Sequence, residues 1–177
     1  MATNAHALVN TDTALVEFFN GELEGALAVL ISPGDPSKTI VPGKNAGTKT
    51  LPVIICESDT AKRTRAKNWE ITGRITVKTP FQDAKGVSLI DSSKALEFAV
   101  LGAMEQYIPA DDQPQPLAAA INAAAAEVLS DNFLLTKFFI TDLTADQNEE
   151  GTFWVLTIGF TATCLNDSKS AAYPAPN

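Results

Sequence analysis

The chain has 177 residues, 45% of them hydrophobic and 19% charged, with a formal net charge of −8. That balance fits one globular domain with a core of its own and excludes a disordered chain. The negative charge excludes a general nucleic-acid binder, and no apolar run reaches the roughly 18 residues of a membrane-spanning helix.

Residues 1–11 read as an N-terminal arm. The start, MATNAHALVNTD, lacks a basic stretch followed by a long apolar core, so no signal peptide is expected. Residues 12–31 have helical spacing, with Leu15, Phe18, Phe19, Leu23, Leu27 and Leu30 on one face. Thr11 or Asp12 is the expected cap at its start. Residues 32–50 contain three prolines and three glycines and read as a long loop. Residues 51–56, LPVIIC, are a short apolar run expected to be a buried strand opened by Pro52.

Residues 57–67 read as a polar connection. The next stretch, NWEITGRITVK at 68–78, alternates cleanly. Trp69, Ile71, Ile75 and Val77 share one side, and Glu70, Thr72, Arg74, Thr76 and Lys78 share the other. That pattern predicts a strand with one face in a core and one face toward water or a partner. Residues 80–91 form a loop, and Asp91 or Ser92 can cap a helix running to about residue 108. A break at 109–116 precedes an alanine-rich helix at 117–129, with Pro116 suited to its first position. An apolar strand is expected within 133–144, a polar turn at 145–151, and a long final strand at 152–165. The tail after 165 is small, polar and proline-containing, with nothing to fold it alone.

The predicted fold is α+β: a mostly antiparallel four-stranded sheet of two hairpins, with helices on one face. Cys56 and Cys164 read as buried free thiols. A disulfide between them requires their strands to be neighbours.

Charge is unevenly distributed. Residues 105–150 hold nine acids and one base, Lys137, while the rest of the chain is neutral overall. Bases concentrate at Lys62, Arg63, Arg65 and Lys67. One acidic region and one basic loop suggest self-association or a charged partner. A solvated surface is the plainer reading of a charge run.

Candidate chemistry is sparse. The single histidine, His6, falls in the arm, far from any partner of a nucleophilic triad. Metal-binding spacings are missing, and Asp111–Asp112 and Glu149–Glu150 read as solvated acidic loops. PGKNAGTKT lacks the phosphate-loop spacing and follows a helix. The basic loop KRTRAK carries no interleaved aromatics for base stacking. Trp69 and Trp154 read as core anchors. No cofactor and no metal is expected. A carboxylate-based enzyme and a binding module using the 32–50 loop are the alternatives from other classes.

Taken in order, the elements carry a resemblance. An amphipathic helix, a Gly/Pro-rich loop and LPVIICES precede NWEITGRITVKTP; a helix, DSSKALEFAVLGAMEQYI, follows, and the chain closes on TFWVLTIGFTATC. Over residues 12–165 this resembles the tail terminator, or tail completion, proteins of tailed bacteriophages. The resemblance implies a non-enzymatic virion subunit of the tail or neck, assembled in the host cytoplasm. It implies a ring, commonly a hexamer, that ends the tail tube and joins it to the head connector, with DNA only passing through the lumen. A head–tail joining ring of similar fold is the closest alternative. On this reading Lys62, Arg63, Arg65, Lys67 and Arg74 are interface candidates. Glu105, Asp111, Asp112, Asp146, Glu149 and Glu150 are candidates for an acidic lumen, where like charge keeps DNA from sticking.

Overall fold

The alternating stretch at 68–78 builds the middle of the sheet. A computed structural model describes residues 6–25, 39–43, 51–65, 67–107, 116–129 and 133–166. There β3 spans Asn68–Pro80, with Ile71, Ile75 and Val77 buried and Glu70, Thr72 and Arg74 exposed. On one side it pairs antiparallel with β5, Phe153–Asn166, from Asn68 opposite Leu165 to Pro80 opposite Phe153. On the other side it pairs antiparallel with β2, Val53–Arg63. β4, Phe133–Gln147, lies antiparallel outside β5, and β1, Ile40–Pro42, lies parallel outside β2. The strand order is β1-β2-β3-β5-β4.

Both expected hairpins form, and the α+β class stands. The strand count does not: the sheet has five strands and is mixed, because β1 is parallel. β1 comes from the stretch read as loop. Three residues among glycines and prolines are too few to show a period, yet Ile40 is buried against the core.

β2 also runs on to Arg63 through residues expected to be a connection. Cross-strand partners on β3 hold it in the sheet. The Thr60 and Thr72 hydroxyls are 2.6 Å apart, Arg74 reaches Glu57 and Asp59 at 3.5 and 3.2 Å, and Lys62 lies opposite Glu70. β4 is irregular in two places, between Leu135 and Lys137 and between Ile140 and Asp142. From Thr141 to Gln147 every residue of β4 is exposed.

Among the described residues, three helices cover the inner face. They are α1, Ala7–Glu22; α2, Ile90–Glu105; and α3, Pro116–Ala125. Leu15, Phe18 and Phe19 of α1 share one core with Leu96, Val100 and Met104 of α2, Leu117 and Ile121 of α3, and the inward residues of the strands. Pro116 does open its helix. Asn122 pins α3 to β4: its amide donates to the Leu135 carbonyl and its oxygen accepts from the Leu135 N–H, both at 2.8 Å.

α1 starts five residues before the expected cap. His6 takes the cap position, its Nδ1 accepting from the Leu8 N–H at 3.4 Å, so residues 7–11 belong to the helix and not to an arm. Thr11 and Asp12 resemble caps because they are short and polar, but both are buried in the helix. Thr11 donates to the Ala7 carbonyl, and Asp12 Oδ1 accepts from the Ser58 N–H of β2 at 2.7 Å. The expected end near residue 31 lies outside the described residues. α2 begins at Ile90 with no side-chain cap, and Asp91 in its first turn favours the positive end of the helix dipole.

Asp12 carries a pH dependence. Burial pushes its carboxyl from 3.8 up to about 6; the Ser58 hydrogen bonds oppose this, and the charges of Glu57 and Asp59 add to it. A raised carboxyl is favoured protonated in the fold. Its stabilising contribution is complete below pH 3.8 and is lost as pH rises through about 6. Asp12→Asn keeps an oxygen for Ser58 and removes the charge. Relative to the parent it should gain about 1–3 kcal/mol between pH 4 and 7, with a flatter profile. Urea melts at stepped pH measure this, and parallel profiles would reject it.

Cys56 faces Ile75 and Cys164 faces Trp69, on strands separated by β3. The strands are not neighbours, and both thiols are free and buried. Burial pushes Cys164 up to about 12 and raises Cys56 as well, where the Asp12 charge adds, so neither thiol is reactive.

Candidate functional site

The chemistry-bearing residues lie at the two ends of the long strands. β3 has 13 residues, a span of about 40 Å. The turn from β2 to β3 is at its Asn68 end, and the turn from β4 to β5 is at its Pro80 end.

The first end is basic. Lys62, Arg63, Arg65 and Lys67 are all exposed there. The turn is shaped by its own hydrogen bonds. The Thr64 N–H donates to the Asn68 carbonyl at 2.9 Å, the Asn68 N–H returns to the Arg65 carbonyl at 3.2 Å, and the Asn166 N–H of β5 donates to the Lys67 carbonyl at 2.8 Å. Arg63 sits over the Trp69 ring, 6.0 Å from its centroid. Arg74 does not join this group. It lies six residues along β3, on the outer face, paired with Glu57 and Asp59 of its own chain.

The second end is acidic. Asp146, Glu149 and Glu150 are exposed around a turn that Asn148 organises. Its Oδ1 accepts from the Thr152 and Phe153 N–H groups at 2.7 and 2.8 Å, and its amide donates to the Thr152 hydroxyl at 2.9 Å. Gly151 has φ +64, a left-handed conformation suited to glycine.

A second loop, residues 81–89, lies beside this turn. The Phe81 N–H donates to the Thr152 carbonyl at 3.2 Å. Asp83 shapes the loop, its Oδ1 accepting from the Lys85 and Val87 N–H groups at 2.8 Å each. Between loop and turn is an open cleft of about 350 Å³, lined by Phe81, Gln82, Asp83, Gly151 and Thr152.

The acids expected to share one surface divide. Glu105 ends the 16-residue α2, whose first turn bonds to Pro80 through Ser93. Glu105 is therefore about 18 Å along the helix from that contact. Asp111 and Asp112 lie outside the described residues. The tryptophans face inward as expected but are only half-buried, one at each end of the sheet. Trp154 packs against Phe81 at 4.5 Å and carries Lys94 over its ring at 4.8 Å.

Sequence reasoning missed Asp83, Asn148 and the cleft. The signal was present in DAKG and NEEG, each an Asx residue three before a glycine, which marks a turn closed by its own side chain. Among the described residues, no group of His, Cys, Asp and Glu is placed to hold a metal ion, and no helix is long and apolar enough to cross a membrane. A second cavity, against Pro52, Thr79 and Leu89, has about 50 Å³, well below the size of a usual ligand pocket. What the site offers is charge and shape for another macromolecule.

Neither a protein-family model nor a curated protein matches the chain. Among solved structures, a chain from the virion of a native gene transfer agent particle is similar. It is 15% identical, the match covers 91% of this chain and 100% of that chain, and the TM-score is 0.49. Identity and superposition of this size do not carry function from one chain to the other.

Proposed function

We propose that this chain is a structural virion protein, a subunit of an oligomeric ring that ends a phage-type tail tube and joins it to the head connector. One observation carries the reading: three large apolar side chains stand exposed on the outer face of the β4–β5 half, at its Leu165 end. Leu134 and Leu165 are directly opposed there, 45% and 39% exposed, and Phe139, opposite Thr161, is 47% exposed. Large apolar side chains held exposed on an open sheet face suit contact with a partner. Such a surface suits permanent packing against another protein of the particle.

The ring supplies the remaining roles. Its partners are further copies, most simply five to complete a hexamer, together with the tube protein and the connector. DNA passes through the lumen without being held. Glu105, followed in the chain by Asp111 and Asp112, is the proposed acidic contribution to the lumen wall.

Native mass spectrometry and negative-stain imaging of the purified protein test this directly. A closed ring is the expected result, and a monomer at all concentrations would reject it. In the producing phage, loss of the protein should give overlong tubes without heads. Tails of normal length that fail to join heads would favour the head-joining role.

A further inference from the structure

We infer that neighbouring copies join head to tail, with the basic 62–67 turn of one copy seated in the cleft between the 81–89 loop and the 148–152 turn of the next. This rests on the ring reading and names the contact that would build it.

The argument starts from charge. At the first end Lys62, Arg63, Arg65 and Lys67 stand against Glu70, which lies opposite Lys62. At the second end Asp83, Asp146, Glu149 and Glu150 stand against Lys85 and against Lys78, which shares a row of the sheet with Asp146. The two ends therefore carry net charges of opposite sign, at opposite ends of a strand about 40 Å long. A contact that brings like ends together costs energy. A contact between unlike ends satisfies both; on a two-fold axis it closes as an antiparallel dimer, and the ring reading selects the form that repeats from copy to copy. It gives a ring if the rotation closes and a filament if it does not.

Shape agrees with charge. The cleft has room for long basic side chains, and its walls are Gln82, Asp83, Gly151 and Thr152, with one aromatic, Phe81. Arg65 is exposed at the tip of the basic turn. Its planar guanidinium can donate two hydrogen bonds to one carboxylate of the rim. Both surfaces are fixed in advance by backbone hydrogen bonds, the acidic turn through Asn148 and the loop through Asp83. Little ordering entropy remains to be lost on docking.

The test is a charge swap read by native mass spectrometry and light scattering. Lys62→Glu with Arg65→Glu makes both ends of one variant acidic. Glu149→Lys with Glu150→Lys makes both ends of the other basic. Each variant alone should fall to monomer, its association weakened tenfold or more, with an unchanged thermal melt. Mixed one to one, they should reassemble into oligomers of alternating composition, since every turn again meets a cleft of opposite sign. Parent assembly should weaken between 50 and 500 mM NaCl, as screening predicts.

Two results would overturn the contact and leave the ring standing: variants that still form the parent oligomer, or monomeric variants that do not reassemble when mixed. A parent protein that is monomeric at both salt concentrations would overturn the ring reading and this contact with it.

Discussion

Gly73→Ala is expected to cost the fold about 3 kcal/mol, and unfolding curves should show it as a large fall in midpoint. Gly73 lies in the middle of β3, opposite Phe160 of β5 and Ser58 of β2. A methyl group there would overlap the carbonyl oxygen of Glu57 and approach Phe160 Cε1 to 2.9 Å. Neither neighbour can withdraw. The carbonyl belongs to the backbone of β2, beside its irregularity between Ser58 and Thr60. The ring is 1% exposed and wedged in the core. Gly159→Ala is the internal control. The nearest atoms to its added carbon belong to the side chains of Asp142 and Thr141, both exposed and able to rotate outward. The control should cost less than about 1 kcal/mol. Equal losses at the two sites would reject this account of Gly73.

Phe160→Ala is expected to cost about 3–5 kcal/mol. The ring crosses from β5 over Gly73 on one side and stacks on Phe138 of β4 on the other, with centroids 4.9 Å apart and planes at 22°. It therefore ties three adjacent strands together at the centre of the core. Truncation leaves a cavity that β-strands cannot close by sliding, because their register is held by the hydrogen-bond ladder. The two substitutions share one space, so they should not add. Gly73→Ala in the Phe160→Ala background should cost about 1 kcal/mol less than in the parent, the overlap with Glu57 remaining. A urea double-mutant cycle measures the difference. Strict additivity would mean that the ring does not rest on Gly73.

How much of this was legible in the sequence depends on the range of the interaction concerned. The strands at 68–80 and 153–166 were readable because alternation is local: Trp69, Ile71, Ile75 and Val77 declare their face without reference to anything else. The helices at 90–105 and 116–125 were readable for the same reason, to within a few residues. The extension of β2 from Glu57 to Arg63 was not, because its polar residues earn strand conformation from partners such as Thr72 and Arg74, which a single segment does not display. Thr11 and Asp12 misled because a short polar residue at a helix start and one turned toward a neighbouring strand look alike in sequence.

The site follows the same division. The basic turn was visible as a cluster at Lys62–Lys67. Its position relative to the acids was invisible until the pairing register was known, since register alone sends the 62–67 turn and the 148–152 turn to opposite ends. Arg74 was grouped with the turn by proximity in sequence. The register places it elsewhere and gives it Glu57 and Asp59 as partners. Glu105 was grouped with Glu149 and Glu150 by sign, and the length of α2 separates it from the contact at Pro80.

The two irregularities in β4 bear on what can pair with the open border of the sheet. A straight outer strand of 15 residues would be a template on which any stray chain could crystallise, one amide at a time. Broken between Leu135 and Lys137 and again between Ile140 and Asp142, that border offers only short runs of regular spacing. An open border interrupted in this way is a poor template for a second copy to pair with edge to edge.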